Sequence, residues 1–374
     1  MINPKFYLSN LTRSGVEFFS GVPDSLLKDF CACITDTCDR GSHIIAANEG
    51  GAIGLAIGHY LACGSVPMVY LQNSGLGNII NPLLSLASKE VYGIPMLIMI
   101  GWRGEPDVKD EPQHVHQGRV MEQSLTAIDI PFVVISDNES EAVRQTHDAL
   151  ALAKRNSTPV VLLVKKGTFT KFTVSKKTSD LTLSREVAIT EVADLMPNDA
   201  VAVCTTGMPS RELFEYREKS NGGHHRDFLT VGGMGHASQI SLGLALGQSK
   251  RQIFCFDGDG AALMHMGSMA IIGQSSVANI IHIILNNGVH DSVGGQPTVG
   301  FGIDFCGIAS ACGYESVCQV DDSAGISNAI EQALKSDGPH LIEILIHPGN
   351  RPDLGRPTRS PEQNKTDFMR FLKS

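Results

Sequence analysis

The residues best suited to chemistry lie in the second half of the chain. Asp257-Gly258-Asp259-Gly260 follows the apolar run QIFCF, and 25 residues later a second apolar run, NIIHIIL, ends in Asn286-Asn287. In a right-handed strand-helix-strand unit both strand ends lie on one edge of the sheet, so Asp259 and Asn287 can converge there. A carboxylate and an amide oxygen at one edge suit a hard divalent cation such as Mg2+, which in turn can bridge phosphate oxygens. Taken alone, Gly-Asp-Gly is also an ordinary turn. The nine cysteines contain no Cys-x-x-Cys pair; their closest groupings are Cys31, Cys33, Cys38 and Cys306, Cys312, Cys318. They read as small buried hydrophobes rather than disulfides or metal ligands.

The elements that must position these residues follow an alternating pattern. In the first half, His43 to Ala47, Pro67 to Gln72, Pro95 to Gly101, Phe132 to Ile135 and Pro159 to Lys165 are short and almost wholly apolar. Such runs predict strands covered on both faces, as in a parallel sheet. Helical patterns such as Gly51 to Ala62 and Glu139 to Arg155 lie between them, which predicts βαβ units. The second half repeats the rhythm at Ala200 to Cys204, Phe228 to Val231, Gln252 to Phe256, Asn279 to Leu285 and His340 to Ile346, with a helix over about Ala262 to Ser275. ESEAVRQTHDALALAKRNSTPVVLLVKKG in the first half is matched by DSAGISNAIEQALKSDGPHLIEILIHPG in the second, and Pro159 and Pro339 lie 180 residues apart. That spacing fits two copies of one domain. The expected fold class is α/β, with two similar doubly wound parallel-sheet domains. The Lys-, Thr- and Ser-rich segment 166–184 reads as a linker between domains 1–165 and 185–374.

Composition narrows the function classes. With 39 acidic against 30 basic residues the net charge is -9, so no global basic field serves a nucleic acid or an anionic membrane. Any anionic ligand must meet a local cluster of cations. The apolar runs are strand-sized and fall short of the roughly 20 residues of a membrane span. The N-terminus has no export signal pattern, which predicts a cytoplasmic protein.

The whole arrangement of Gly-Asp-Gly, 25 residues and a doubled Asn, with a strand before each element, resembles the diphosphate and metal motif of the thiamine diphosphate-dependent enzymes. That resemblance implies a pyrimidine-binding domain at 1–165, a diphosphate-binding domain with a C-terminal tail at 185–374, and no middle domain. It implies thiamine diphosphate and Mg2+ as cofactors, with Asp259, Asn287 and the carbonyl of Val289 on the metal and Gly258 and Gly260 beside it. Glu49, after HIIAA, matches the glutamate that hydrogen-bonds the aminopyrimidine ring, although an acid there could also serve only the helix N-terminus. Met234, in Gly232-Gly233-Met234-Gly235, matches the apolar wedge beneath the cofactor, with the carbonyl of Gly232 as its neighbour; most methionines are simply core. Thr206 and Gly207, at a strand-to-helix turn, suit a phosphate cradle. Asp24 resembles the acid-base aspartate of related decarboxylases, and His114 with His116 their paired histidines. Asp24 could equally cap the helix Ser25 to Cys33.

The stretches SGVPDSLLKDF, QNSGLGN, GWRGEPDVKDEPQHVHQG, NNGVHDSVGGQPT and DLGRPTRSPEQNK resemble the compact decarboxylases of this family that act on 3-phosphonopyruvate, with sulfopyruvate as the near alternative. The implied reaction yields phosphonoacetaldehyde and CO2. A phosphonate dianion needs cations, and Arg103, Lys109, Arg119, Arg351, Arg356 and Arg359 are candidates, with Ser25 nearby in sequence terms to Asp24. Surface arginines are usually only solvated. The family shares its cofactor between subunits, which implies a homo-oligomer of at least two chains. Phe368, Met369, Phe371 and Leu372 form an apolar set that predicts a docked tail.

Overall fold

Six strands of the first half are Phe19–Gly21 (β1), His43–Ile45 (β2), Met68–Gln72 (β3), Met96–Gly101 (β4), Phe132–Val134 (β5) and Pro159–Val164 (β6). All pair in parallel, in the order β2-β1-β3-β4-β6-β5. Alternate side chains enter two separate cores. Met68, Tyr70, Leu97, Met99 and Leu162 pack on one face, and Val69, Leu71, Ile98, Ile100 and Val161 on the other. Burial on both faces is what makes these strands read as unbroken apolar runs. The computed structural model describes residues 1–173, 179–220 and 222–374. The chain divides into two compact units, Met1–Lys176 and Lys177–Ser374, and residues 174–178 of the expected linker 166–184 lie outside the described residues.

The second unit contains Val201–Cys204 (β7), Asp227–Leu229 (β8), Ile253–Gly258 (β9), Ile280–Asn286 (β10), a small ribbon of Val289–His290 (β11) and Gln296–Pro297 (β12), then Ser316–Val320 (β13) and His340–Leu345 (β14). Its main sheet is parallel, in the order β13-β14-β10-β9-β7-β8. Counted from each unit's first strand, both sheets have the order 2-1-3-4-6-5, so the duplication read from the sequence is one of topology as well. Two strands of the main sheets, besides the short ribbon of β11 and β12, were not visible in the apolar pattern. β1 is three residues long and ends in glycine, and β13 is a half-exposed edge strand, SVCQV. The helix expected over Ala262 to Ser275 is two shorter ones, Asp259–Met264 and Gly267–Gly273, interrupted where His265 leaves helical geometry.

The tail docks as its pattern predicts. Helix Pro361–Phe371 starts with a capping box on Ser360 and Gln363. It buries Phe368, and the Asn364 amide covers the main chain of edge strand β8: Oδ1 accepts from Leu229 N (3.1 Å) and Nδ2 donates to Asp227 O (2.8 Å). This covering removes a free sheet edge that would otherwise template pairing with other chains.

Under β8, the Arg217 guanidinium holds the Asp227 carboxylate through Nε (2.8 Å) and Nη2 (3.1 Å), with both side chains out of contact with solvent. Removing one partner of a buried pair leaves an uncompensated charge. Arg217→Met should therefore lower unfolding free energy by about 3–5 kcal/mol, read as a lower urea midpoint; a midpoint within error of the parent would show that Asp227 finds another partner.

Candidate functional site

In the second unit the ends of β7, β9 and β10 surround one cleft. It is lined by Thr205, Thr206, Met208, Met234, Gly258, Asp259, Gly260, Asn287 and Val289, together with Arg185, His290 and Asp291. The spacing from Asp259 to Asn287 brings the two together because β9 and β10 are adjacent and parallel. Asp259 is 2% exposed. Its Oδ2 accepts from the Thr298 hydroxyl. Burial raises its pKa to about 6, opposed by Thr298 and by backbone N–H donors at Gly260 and Asn287. The Asn287 side chain is fixed at both ends: Nδ2 donates to Asp291 Oδ2 (2.7 Å) and Oδ1 accepts from Val289 N (3.1 Å). Asp291 is held in turn by Arg185 Nη1 (2.8 Å), whose other nitrogens grip buried Glu212.

Beside Asp259, Gly207 adopts φ 98° and opens helix Met208–Lys219 without a side-chain cap. Uncapped N–H groups at a helix start favour anions. The Thr205 hydroxyl is buried there with no hydrogen-bond partner among the described residues. Met234 lines the same cleft, half-buried rather than in the core, on the turn after β8 whose Gly233 and Gly235 both have positive φ. Gly232 begins that turn. The acidic groups lining this cleft, Asp259 and Asp291, outnumber its one guanidinium, Arg185. A phosphate at the helix start would thus need a cation, and the donor set beside it is all hard oxygen. The residues present fit a Mg-diphosphate group.

The first unit carries the remaining predicted residues. Glu49 opens helix Glu49–Cys63, but the cap is Asn48, whose side chain accepts from Gly51 N at 2.8 Å. Glu49 is thereby released from capping, and its Oε2 accepts from Asn78 Nδ2 (2.7 Å). Gly75 is bare for a reason: a Cβ there would fall 2.4 Å from Glu49 Oε1. Asp24 is fully buried. Its Oδ2 accepts from Leu26 N (2.9 Å) and Leu27 N (3.2 Å), while Oδ1 has no partner among the described residues. Asp24 does not cap the expected helix Ser25 to Cys33: the helix is Lys28–Thr37, its N-cap Leu27 has no side-chain cap bond, and Asp24 Oδ2 instead fixes the turn before it. Burial lifts its pKa to about 6, against the Leu26 N–H and Arg103.

A second cleft adjoins Asp24 in this unit, lined in part by Ser25, Arg103, Lys109, Asp110, Trp102 and Lys166. Arg103 is its hub. It donates from Nε to Asp110 Oδ2 (2.7 Å), from Nη2 to Asp110 Oδ1, and from Nη1 to Ser25 Oγ (2.7 Å). His114 and His116 share helix Pro112–Ala127, but a spacing of two residues points them apart. His114 is buried, and desolvation, helped by Arg103, lowers its pKa to about 4, so it is neutral near pH 7. His116 is exposed and its Nδ1 meets Arg119 Nη2 at 2.9 Å. The structure does not bring the two imidazoles into one site. Arg351, in the second unit, is bound by Glu186, Glu215 and Asp353, and Arg356 lies exposed on the loop after it.

Comparison with known proteins decides the family. Residues 6–125 match the family described as thiamine pyrophosphate enzyme, N-terminal TPP binding domain, and residues 205–344 the corresponding C-terminal TPP binding domain. The chain belongs to the thiamine diphosphate enzymes. It is 33% identical to a phosphonopyruvate decarboxylase of Streptomyces viridochromogenes, over 100% of this chain and 95% of that protein. To a phosphonopyruvate decarboxylase of Streptomyces hygroscopicus it is 35% identical, over 99% of this chain and 94% of that protein. A sulfopyruvate decarboxylase of Methanosarcina acetivorans is 27% identical, over 100% and 98%. This thiamine diphosphate enzyme is therefore a carboxy-lyase that decarboxylates a 2-oxo acid.

Several supporting residues carried no signal in the sequence. Asn78, Asp110, Asp291, Arg185 and Thr298 orient the predicted groups through bonds that span 4 to 106 residues of chain. Only the run NNGVHD, which places Asp291 four residues from Asn287, offered a hint.

Because folded Asp24 holds its proton up to about pH 6 and the unfolded chain only to about pH 4, its contribution favours the folded state below pH 4 and is lost as pH rises through 6. The loss is on the order of 3 kcal/mol. Asp24→Asn should accordingly be more stable than the parent at pH 8, with the gap closing by pH 4. A gap of constant size in denaturation curves across that range would show that Asp24 does not carry the elevated pKa.

Proposed function

We propose that the chain decarboxylates 3-phosphonopyruvate to phosphonoacetaldehyde and CO2, with thiamine diphosphate and Mg2+, as a step in phosphonate biosynthesis of the 2-aminoethylphosphonate type. The observation that carries the substrate class is the cleft beside Asp24, where a protein of net charge -9 sets Arg103, Lys109 and Lys166 against only Glu105 and Asp110. Thiamine diphosphate, when bound, supplies the nucleophilic carbon and the electron sink for loss of CO2. Similarity across nearly the full length to two phosphonopyruvate decarboxylases supports the same reading.

Each residue then has a task. Asp259, Asn287 and the carbonyl of Val289 hold Mg2+, and Thr206, Gly207, Gly258 and Gly260 line the diphosphate's place beside it. Met234 and the Gly232 carbonyl support the ring system. Glu49, kept in place by Asn78 and the bare Gly75, hydrogen-bonds the aminopyrimidine and moves its proton. Asp24, half free and with a pKa near the working range, and neutral His114 exchange protons with substrate. His116, exposed beside Arg119, lies outside that relay. Arg103 is preset by Asp110 so that its guanidinium presents a fixed face to the phosphonate with Ser25, Lys109 and Lys166. Arg351 and Arg356 belong to the same substrate class of reading, with Arg351 the weaker ligand because three carboxylates already engage it. We place the reaction in the cytoplasm, where nine free cysteines remain reduced; among the described residues no helix is long and apolar enough to cross a membrane.

The direct test is CO2 release from phosphonopyruvate, sulfopyruvate and pyruvate, with Mg2+ and with or without thiamine diphosphate. Phosphonopyruvate should be turned over best and only with the cofactor, and Glu49→Gln should lower kcat by about 100-fold or more. Faster turnover of sulfopyruvate would reject the phosphonate assignment while leaving the decarboxylase intact.

The working unit we propose is a homo-oligomer of at least two chains, in which Glu49 of one serves the cofactor held by Asp259 and Asn287 of another. Mixing inactive Glu49→Gln and Asp259→Ala chains should restore part of the activity. Verified mixed oligomers without any rescue would argue that each chain works alone.

A further inference from the structure

Behind the Mg-diphosphate cleft, the second sheet carries three groups that the proposed reaction does not use. Cys255 and Asp257, two residues apart on β9, share one face, and His282 on β10 stands opposite Cys255 in the parallel register. All three are at most 1% exposed. A sulfur, a carboxylate oxygen and a ring nitrogen, one from each, lie within 4.8 Å of one another. Gly258 N donates to Asp257 Oδ1 at 3.1 Å. Asp257 Oδ2 and His282 Nε2 have no hydrogen-bond partner among the described residues, and they face each other at 3.6 Å.

That separation is too long for a hydrogen bond. It is close to the spacing of about 3.4 Å between two ligands on one tetrahedral zinc, given bonds of about 2.0–2.1 Å. The surroundings fit as well. The Tyr314 hydroxyl meets His282 Nδ1 at 3.1 Å, which leaves Nε2 as the ligand nitrogen. A thiolate, a carboxylate and a neutral imidazole around a dication sum to zero charge, the condition that burial imposes.

We propose that Cys255, Asp257 and His282 form a structural site for a thiophilic divalent cation of zinc type, separate from the all-oxygen site at Asp259 and Asn287. Binding releases the Cys255 thiol proton to solvent and joins β9 to β10 just before the strand ends that present Asp259 and Asn287. Softness of the ligand set separates this site from Mg2+.

The holoenzyme, saturated with Mg2+ and thiamine diphosphate, is given one equivalent of Co2+ per chain. The Asp259 cleft is lined by the thioethers of Met208 and Met234 but by no cysteine, so a thiolate-to-cobalt charge-transfer band cannot come from it. The expected result is a band that Zn2+ abolishes by displacement, that Asp259→Ala retains and that Cys255→Ser lacks. X-ray absorption of the zinc-loaded parent needs no variant to fold and should show one sulfur at about 2.3 Å together with imidazole scattering. No band in the parent, a band that survives in Cys255→Ser, or zinc with only oxygen neighbours would each overturn the proposal.

Discussion

Burial of both parallel sheets on both faces is the constraint on which everything else depends. The central strands, sealed by helices, show no side chain to solvent along their length, so it is at their ends that polar groups can meet a dissolved ligand. Parallel strands place all their C-terminal ends on one edge. Asp24 follows β1, Glu49 follows β2, Gly75 follows β3 and Arg103 follows β4; Thr206, Met234, Asp259 and Asn287 follow β7, β8, β9 and β10. The duplicated topology thus builds a candidate site in each unit by one geometric rule, and divergence of the loops gave one the buried Asp24 and Glu49 and the other the Asp259 cleft beside an uncapped helix start.

Each candidate site is then made precise by groups that touch no reactant in the proposed scheme. Asp291 fixes Asn287 and is fixed by Arg185; Asp110 fixes Arg103; Asn78 and the missing side chain at Gly75 fix Glu49. The Arg185–Asp291 and Arg103–Asp110 pairs have low exposure and good geometry, so they hold rotamers against thermal motion more firmly than surface pairs do. Gly101 shows the same economy of space: a Cβ there would lie 1.9 Å from Asp24 Oδ2. A buried carboxylate left partly unpartnered among the described residues, as at Asp24, destabilises the fold once ionised and at the same time keeps its proton toward neutral pH.

What could be read from the chain alone followed from periodicity and turn chemistry. Ten strands showed as apolar runs because a two-sided core demands them, and the Gly-Asp-Gly and doubled-Asn elements showed because strand ends need small and polar residues. β1 and β13 stayed hidden: the first is too short for a pattern, and the second is an edge strand whose half-exposed residues need not be apolar. The pairing of His114 with His116 looked equivalent in sequence, yet a helix turns residues two apart in different directions, and one imidazole is buried and neutral while the other meets solvent and Arg119.

The sequence by itself determined the fold class, the duplication and the family resemblance, and it singled out Asp259 and Glu49 as candidates, because each is written in local pattern or in a spacing along the chain. Tertiary structure alone decided which oxygen of Asp24 remains free, that Asn48 rather than Glu49 caps its helix, which acids already occupy Arg103 and Arg351, and that Cys255, Asp257 and His282 meet. Those outcomes depend on which strands lie side by side and which atoms lose water, and no local pattern encodes a contact between residues brought together only by the register of a sheet.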